Sequence, residues 1–296
     1  MGSLKEVKSR INSVKSTRQI TSAMKMVASA KLHKAQARIG SMLPYQRKLN
    51  EILTNFLSTD SEEIESPYTE VRPVERLAIV PFSSNSSLCG AFNANVAKMF
   101  ERVVDEYRSL GKDNILVYPV GKKVETAVRK LGYAIQGSYQ DMADKPAYQE
   151  AYELAETLMK EFAEKKIDKV IFIYHHFKSM GTQILLEEDY LPINLSKLED
   201  GAETQKVTEN KYLDDYLVEP SVEELISALL PKVLCQKIYT VLLDSNTSEH
   251  AARMLAMQAA TDNANDLIQD LTIQYNKSRQ QAITNELLDI IGGSMK

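Results

Sequence analysis

The chain of 296 residues has no tryptophan and only two cysteines, Cys89 and Cys235. So few thiols exclude a disulfide framework and fit a reducing compartment. The Asn-x-Ser/Thr triplets at Asn85, Asn194 and Asn246 then read as chance matches. Long apolar runs are missing too. Val170-Ile171-Phe172-Ile173-Tyr174 is far too short to cross a bilayer. Lys5, Lys8 and Arg10 lead into no apolar h-region, so no signal peptide is expected, and Glu6 breaks the myristoylation pattern after Met1-Gly2. The absence that matters most is local. Between Pro231 and Gly292 there is neither glycine nor proline. A continuous helix over 232–291 would measure roughly 90 Å, too long for a compact domain of this size to enclose.

The net charge of −4 conceals a strong polarity. Residues 1–50 carry 11 Lys and Arg against one acid, Glu6, so the remainder holds an excess of 14 negative charges. Such an arm raises nucleic acid, anionic membrane or acidic protein as partner. Its cations spread round a helical wheel instead of gathering on one face, and no aromatic precedes Tyr45. Both features disfavour nucleic-acid and membrane-surface binding. An ordinary solvated helix is the plain alternative.

Three regions follow from periodicity. Leu4, Val7, Ile11 and Val14 open a 3.5-residue spacing that resumes at Ala28, Leu32, Ala35, Ile39 and Met42, then reaches Leu49, Leu53 and Phe56. Arg18, Thr21 and Lys25 occupy the seam between those stretches. Sustained heptads predict a coiled-coil helix over 1–58, which Pro44 should kink or restart. In that register Ile20, Met24 and Val27 point away from the seam, beside cations, as they would in a rod surrounded by protein. A middle region, 75–192, alternates strand-like runs at 77–81, 115–119 and 169–174 with helical patterns near 91–110, 121–131 and 147–165. This predicts a small parallel sheet with crossover helices, and 182–191 as a possible edge strand. Residues 193–219 read as a polar loop and foot. Residues 220–296 predict a short helix after Pro220, then a long one from about 232. The long helix carries its own seam of Met254, Met257, Thr261, Ala264, Ile268, Leu271, Tyr275, Ser278 and Ala282. The fold class expected is therefore α/β: a Rossmann-like head with a long antiparallel coiled coil of the terminal helices, a rod with a head.

The segment "SSNSSLCGAFN", 83–93, joins a strand to a helix start, the usual cradle for phosphate. Only Gly90 is present, however, with no dinucleotide fingerprint and no P-loop lysine. Cys89 as a nucleophile needs a base, and His175 or His176 would have to supply it across the fold. The same histidine pair could be half of a metal site, but no third ligand follows at suitable spacing. A structural turn is the favoured reading, with a stand-alone nucleotide-dependent enzyme as the rival and a coiled-coil nucleic-acid adaptor as a second.

Two long stretches carry a resemblance. Val7-Lys8-Ser9-Arg10-Ile11-Asn12-Ser13-Val14-Lys15-Ser16-Thr17 with "QITSAMKMVASAKL", and "SEHAARMLAMQAATDNANDLIQDLTIQYNKSRQQAITNELLDIIGG", are similar to the two ends of the gamma subunits of F-type ATP synthases. The head agrees more loosely: Asn85-Ser86-Ser87 stands where relatives usually read Asp-Arg-Gly. The resemblance implies a non-catalytic rotor shaft without cofactor or metal. It would be encircled by three alpha and three beta subunits, with its head on epsilon and the membrane c ring, and would couple proton flow to ATP synthesis. It implies contacts to the alpha/beta ring at Met24, Lys25, Arg253, Gln280 and Thr284, and to the c-ring side at Tyr216 and Glu219. It further implies a peripheral place on the cytoplasmic face of a bacterial inner membrane, with no direct insertion and no nucleic acid. The tip of the C-terminal helix, with Ile283, Leu287, Ile290 and Ile291, should run on beyond the N-terminal helix and bury its apolar surface in neighbouring subunits.

Overall fold

A computed structural model describes residues 4–59, 66–193, 219 and 221–294. The chain divides into two compact units: residues 1–30 with 253–296, and residues 31–252.

In the larger unit, β1 (Leu77–Pro81), β2 (Ile115–Val117), β3 (Ala134–Ile135), β4 (Lys169–Ser179) and β5 (Thr182–Leu191) form one sheet in the order β3-β2-β1-β4-β5. The first four are parallel, and β5 runs antiparallel to β4 at the edge. The expected edge strand is therefore real, and β4 outlasts the apolar run that betrayed it because the β5 hairpin continues to pair with it.

Side chains alternate along each strand, so one strand feeds two cores. Leu77 and Ile79 face Val96, Phe100 and Val103 of α2 (Phe92–Glu106) and Val124 and Val128 of α3 (Lys122–Leu131). Ala78 and Val80 face the opposite layer. There Leu154, Leu158 and Phe162 of α5 (Tyr148–Ala163) pack with Leu234, Ile238, Val241 and Leu242 of the last helix, α6 (Val222–Ser294). A one-turn helix, α4 (Gln140–Asp144), closes the same side. Phe172 lies at the centre of that layer, edge-on to Phe82 at 5.8 Å and stacked on Tyr190 at 4.3 Å.

The sheet is anchored at its amino edge by a buried ion pair. Arg72 Nε lies 2.7 Å from Asp168 Oδ1, and the amides of Glu75 and Arg76 donate to Asp168 Oδ2 at 3.0 and 2.9 Å. Burial alone would raise the Asp168 pKa. The Arg76 and Glu75 amides and the Arg72 guanidinium prevail and hold it below the ordinary value.

Both prolines expected to interrupt helices lie inside them. The N-terminal helix α1 runs Leu4–Thr59 through Pro44, and α6 runs Val222–Ser294 through Pro231, so no new helix opens at about 232. A helical proline forfeits one hydrogen bond and crowds the carbonyl four residues earlier, a cost of about 3 kcal/mol. The opposing gain is apolar: Leu49 and Leu53 of α1 pack on Ile226, Leu230 and Val233 of α6. One 18-residue window of α6 has a mean hydropathy of 1.4, enough to match a membrane span by composition, but half of it is buried inside the protein.

In the smaller unit, the seam residues Ile11, Thr21 and Ala28 of α1 and Met254, Met257, Ala264 and Leu271 of α6 are buried. The alanines bring the helices close. The polar seam expected at Arg18 and Thr21 is closed by side chains: Thr21 and Thr261 hydroxyls lie 2.8 Å apart, and Arg18 donates to Asn265 Oδ1 at 3.3 Å. As α1 numbers rise α6 numbers fall, so the pair is antiparallel. A polar layer of this kind fixes register, since slippage would strand its donors.

Candidate functional site

The sheet order reverses between β1 and β4, and a doubly wound sheet binds ligands in the crevice at that point. The segment 83–93 sits there, and its side chains bond to one another. Ser84, fully buried, donates its amide and hydroxyl to Asn93 Oδ1, both at 3.0 Å. Asn93 in turn donates to Cys89 Sγ at 3.1 Å. Leu88 and Gly90 turn the chain with φ of 67° and 61°. Gly121 approaches so closely that a Cβ there would stand 2.3 Å from the Ser83 carbonyl oxygen. The loop is a turn held by its own side chains, with Ser86, Ser87, Leu88 and Gly90 on its exposed side.

The histidines do not complete a dyad or a metal site. Adjacent strand residues face opposite ways. His175 points inward, stacked on Phe92 at 4.3 Å, and burial depresses its pKa to about 4. His176 points outward, its Nδ1 2.6 Å from Asp244 Oδ2. The sulfur of Cys89 meets Ser84, Ser86 and Asn93 and no imidazole. Burial pushes the Cys235 thiol up to about 11, which keeps it protonated and unreactive. Among the described residues no three His, Cys, Asp or Glu side chains gather to hold a metal. A surface cleft of about 550 Å³ is lined by Tyr45, Tyr148, Gln149, Tyr152, Lys232 and Gln236, which include neither a nucleophile–base pair nor a glycine cradle.

The candidate site is instead the surface of the helices. Ile20, Met26 and Val27 are exposed on α1, and Met24 and Lys25 are half-covered, so Met24 is less outward than its heptad position suggests. Arg253 is 9% exposed, so its guanidinium offers little surface to a neighbour. Gln280 and Thr284 are exposed, with the Thr284 hydroxyl donating to the Gln280 carbonyl at 2.9 Å. Continuing the register of Thr21–Thr261 places Arg253 opposite about Ser29, one turn from Lys25, and Leu4 opposite about Ser278. Gln280 and Thr284 thus belong to a separate place, about 40 Å along the helix from Arg253. Glu219 is exposed, and Tyr216 lies outside the described residues.

Beyond about Ser278, no described residue of α1 lies opposite α6. Ile283, Leu287, Leu288, Ile290 and Ile291 are 48–68% exposed there. Sequence periodicity anticipated this tip. It missed the run Asp244-Ser245-Asn246-Thr247-Ser248-Glu249-His250, which reads as a solvated stretch but is almost entirely covered. The available signal was a helix polar on every face with no glycine or proline nearby.

A doubly wound sheet and an antiparallel two-helix seam place the chain among α/β proteins that carry a coiled coil. A family model described as ATP synthase matches residues 3–295. The ATP synthase gamma chain of Bacteroides fragilis is 69% identical over 295 residues, covering all of both chains, and that of Bacteroides thetaiotaomicron is 66% identical over 299, again covering all of both. The chain belongs to the ATP synthase gamma chain family. Among solved structures, a chain of the Euglena gracilis mitochondrial ATP synthase (OSCP/F1/c-ring, rotational state 3) shares the fold, with a TM-score of 0.63 at 22% identity, covering 99% of this chain and 93% of that one. A chain from the central stalk/c-ring structure of Tetrahymena thermophila mitochondrial ATP synthase gives a TM-score of 0.56 at 23% identity, covering 81% and 99%.

Proposed function

We propose that this chain is the central rotor shaft of an F-type ATP synthase. It turns inside a ring of three alpha and three beta subunits and performs no chemistry itself. Its head, centred on residues 75–192, binds epsilon and the membrane c ring, so proton flow through that ring drives ATP synthesis, and hydrolysis drives the reverse. The complex is peripheral on the cytoplasmic face of a bacterial inner membrane; the shaft neither inserts into the bilayer nor binds nucleic acid. Met24, Lys25, Gln280 and Thr284 face the alpha/beta ring, with Arg253 reaching it only by its 9% exposed edge, and Tyr216 and Glu219 face the c-ring side.

The observation that carries this reading is the apolar tip of α6, with Leu288 61% and Ile290 68% exposed beyond the reach of α1. A lone helix with such a surface is marginal in water and calls for a protein sleeve. Cations spread round α1 suit contacts with acidic loops passing at many angles, each weak enough to break at every step. Mixing the purified chain with alpha and beta subunits tests the proposal. ATP hydrolysis stimulated by the chain supports the shaft. Hydrolysis by the chain alone would support the nucleotide-enzyme rival instead.

A further inference from the structure

A shaft must pass torque to its head without rolling. The apolar contacts of α6 in the head lie on one layer, where Leu234, Ile238, Val241 and Leu242 meet α5 and the sheet. Apolar contacts are non-directional, so they set no exact rotational angle for the helix. Rotation is blocked most directly by directional bonds on opposite sides of the helix.

Residues 244–248 provide such bonds. Asp244 and Ser248, four apart, share one face. Asp244 Oδ1 accepts the Phe177 amide at 2.7 Å, Oδ2 meets His176 Nδ1 at 2.6 Å, and Ser248 donates to the His175 carbonyl at 3.1 Å. All three partners belong to β4. Asn246, between them, lies about 160° round the helix from both, at 100° per residue. It donates to the Ala143 carbonyl of α4 at 2.9 Å. Both sides are braced. The His175 ring stacks on Phe92. Gln140 of α4 accepts from Asn85 Nδ2 and donates to Glu125 of α3, each at 2.8 Å, while Asn85 Oδ1 accepts the Lys122 amide at 2.8 Å. The loop that resembled a phosphate cradle is thus part of the bracing.

We propose that Asp244, Asn246 and Ser248 are positioning residues forming a two-sided clamp that fixes the rotational setting of α6 in the head, so that torque on the helix reaches the sheet. Ser248 and Asn246 are 0% and 7% exposed, so water does not compete for these bonds. The inference rests on the rotor reading.

Its test uses the complex with alpha and beta subunits, with a bead attached through Met180→Cys at the exposed β4–β5 turn. The native Cys89 and Cys235 are buried and should not label. Bead rotation with the otherwise wild-type chain checks the rotor reading by itself; a bead that does not turn refutes that reading, whatever the clamp does. Asn246→Ala with Ser248→Ala is then compared at high viscous load. Losing a bond of ordinary strength on each side shifts the held-to-slipped balance by roughly fivefold or more. The expected result is fewer revolutions per ATP under load, with ATP hydrolysis in the absence of a bead retained. Val128→Ala, in the opposite core, controls for simple destabilisation and should keep the wild-type ratio. If the double variant fails to assemble, Asn246→Ala and Ser248→Ala singly release one side each and should each lower the ratio. Assembled variants that turn under load at the wild-type number of revolutions per ATP would overturn the clamp.

Discussion

Two stretches of α6 treat apolar and polar groups in opposite ways. Residues 241–251 are covered on nearly every face although most of them are polar, and residues 283–291 are exposed although five of them are large and apolar. In the first stretch polar groups are tolerated because each identified bond ends on a backbone or side-chain group of the same chain. In the second, apolar groups are left in water, as the rotor reading expects of a surface that another subunit covers. On that reading one stretch is finished by folding and the other by assembly. Damage to the head should therefore appear in the isolated chain, and damage to the tip only in the complex.

The largest effect should come from the buried ion pair. Arg72→Ala leaves the Asp168 carboxylate with only the Glu75 and Arg76 amides and no opposite charge, and should lower the stability of the isolated chain by about 3 kcal/mol. Urea unfolding followed by circular dichroism measures this, and a loss below about 1 kcal/mol would show that the pair does not anchor the sheet.

Acid should act next. Charging His175 inside the core is disfavoured, so the unfolded chain takes up a proton before the folded one does. Stability should be complete above about pH 6.5 and fall as the pH drops towards about 4, by about 3 kcal/mol in all. His175→Phe should flatten that slope. An unchanged slope would place the titrating group elsewhere.

Smaller effects sharpen the seam. Thr21→Val leaves the Thr261 hydroxyl without its seam partner and should cost about 1 kcal/mol, whereas Thr21→Val with Thr261→Val should be nearly neutral. Additive losses would deny the coupling of the pair. Cys89→Ser should cost about as little and leave ATP hydrolysis of the assembled complex intact. Abolished hydrolysis in a stably assembled complex would return Cys89 to the reaction.

Much of this was legible in the sequence. A continuous apolar run marked β1 at its observed bounds, because Leu77–Pro81 is buried on both faces. The heptads marked both seams, including the polar layer at Thr21. Hidden were features set by tertiary partners: β3, with two residues and no apolar run of its own, and the passage of both helices through Pro44 and Pro231. The clamp was hidden for another reason. Polar residues read as solvent-facing unless their partners are known, and those of Asn246 and Ser248 lie 103 and 73 residues away.

Amide exchange across α6 tests the central claim most directly. In the isolated chain, residues 241–251 should be strongly protected and 283–291 should exchange fast, like a frayed helix end. On addition of alpha and beta subunits, protection should spread to 283–291. Strong protection of 283–291 in the isolated chain, or none gained in the complex, would contradict the account.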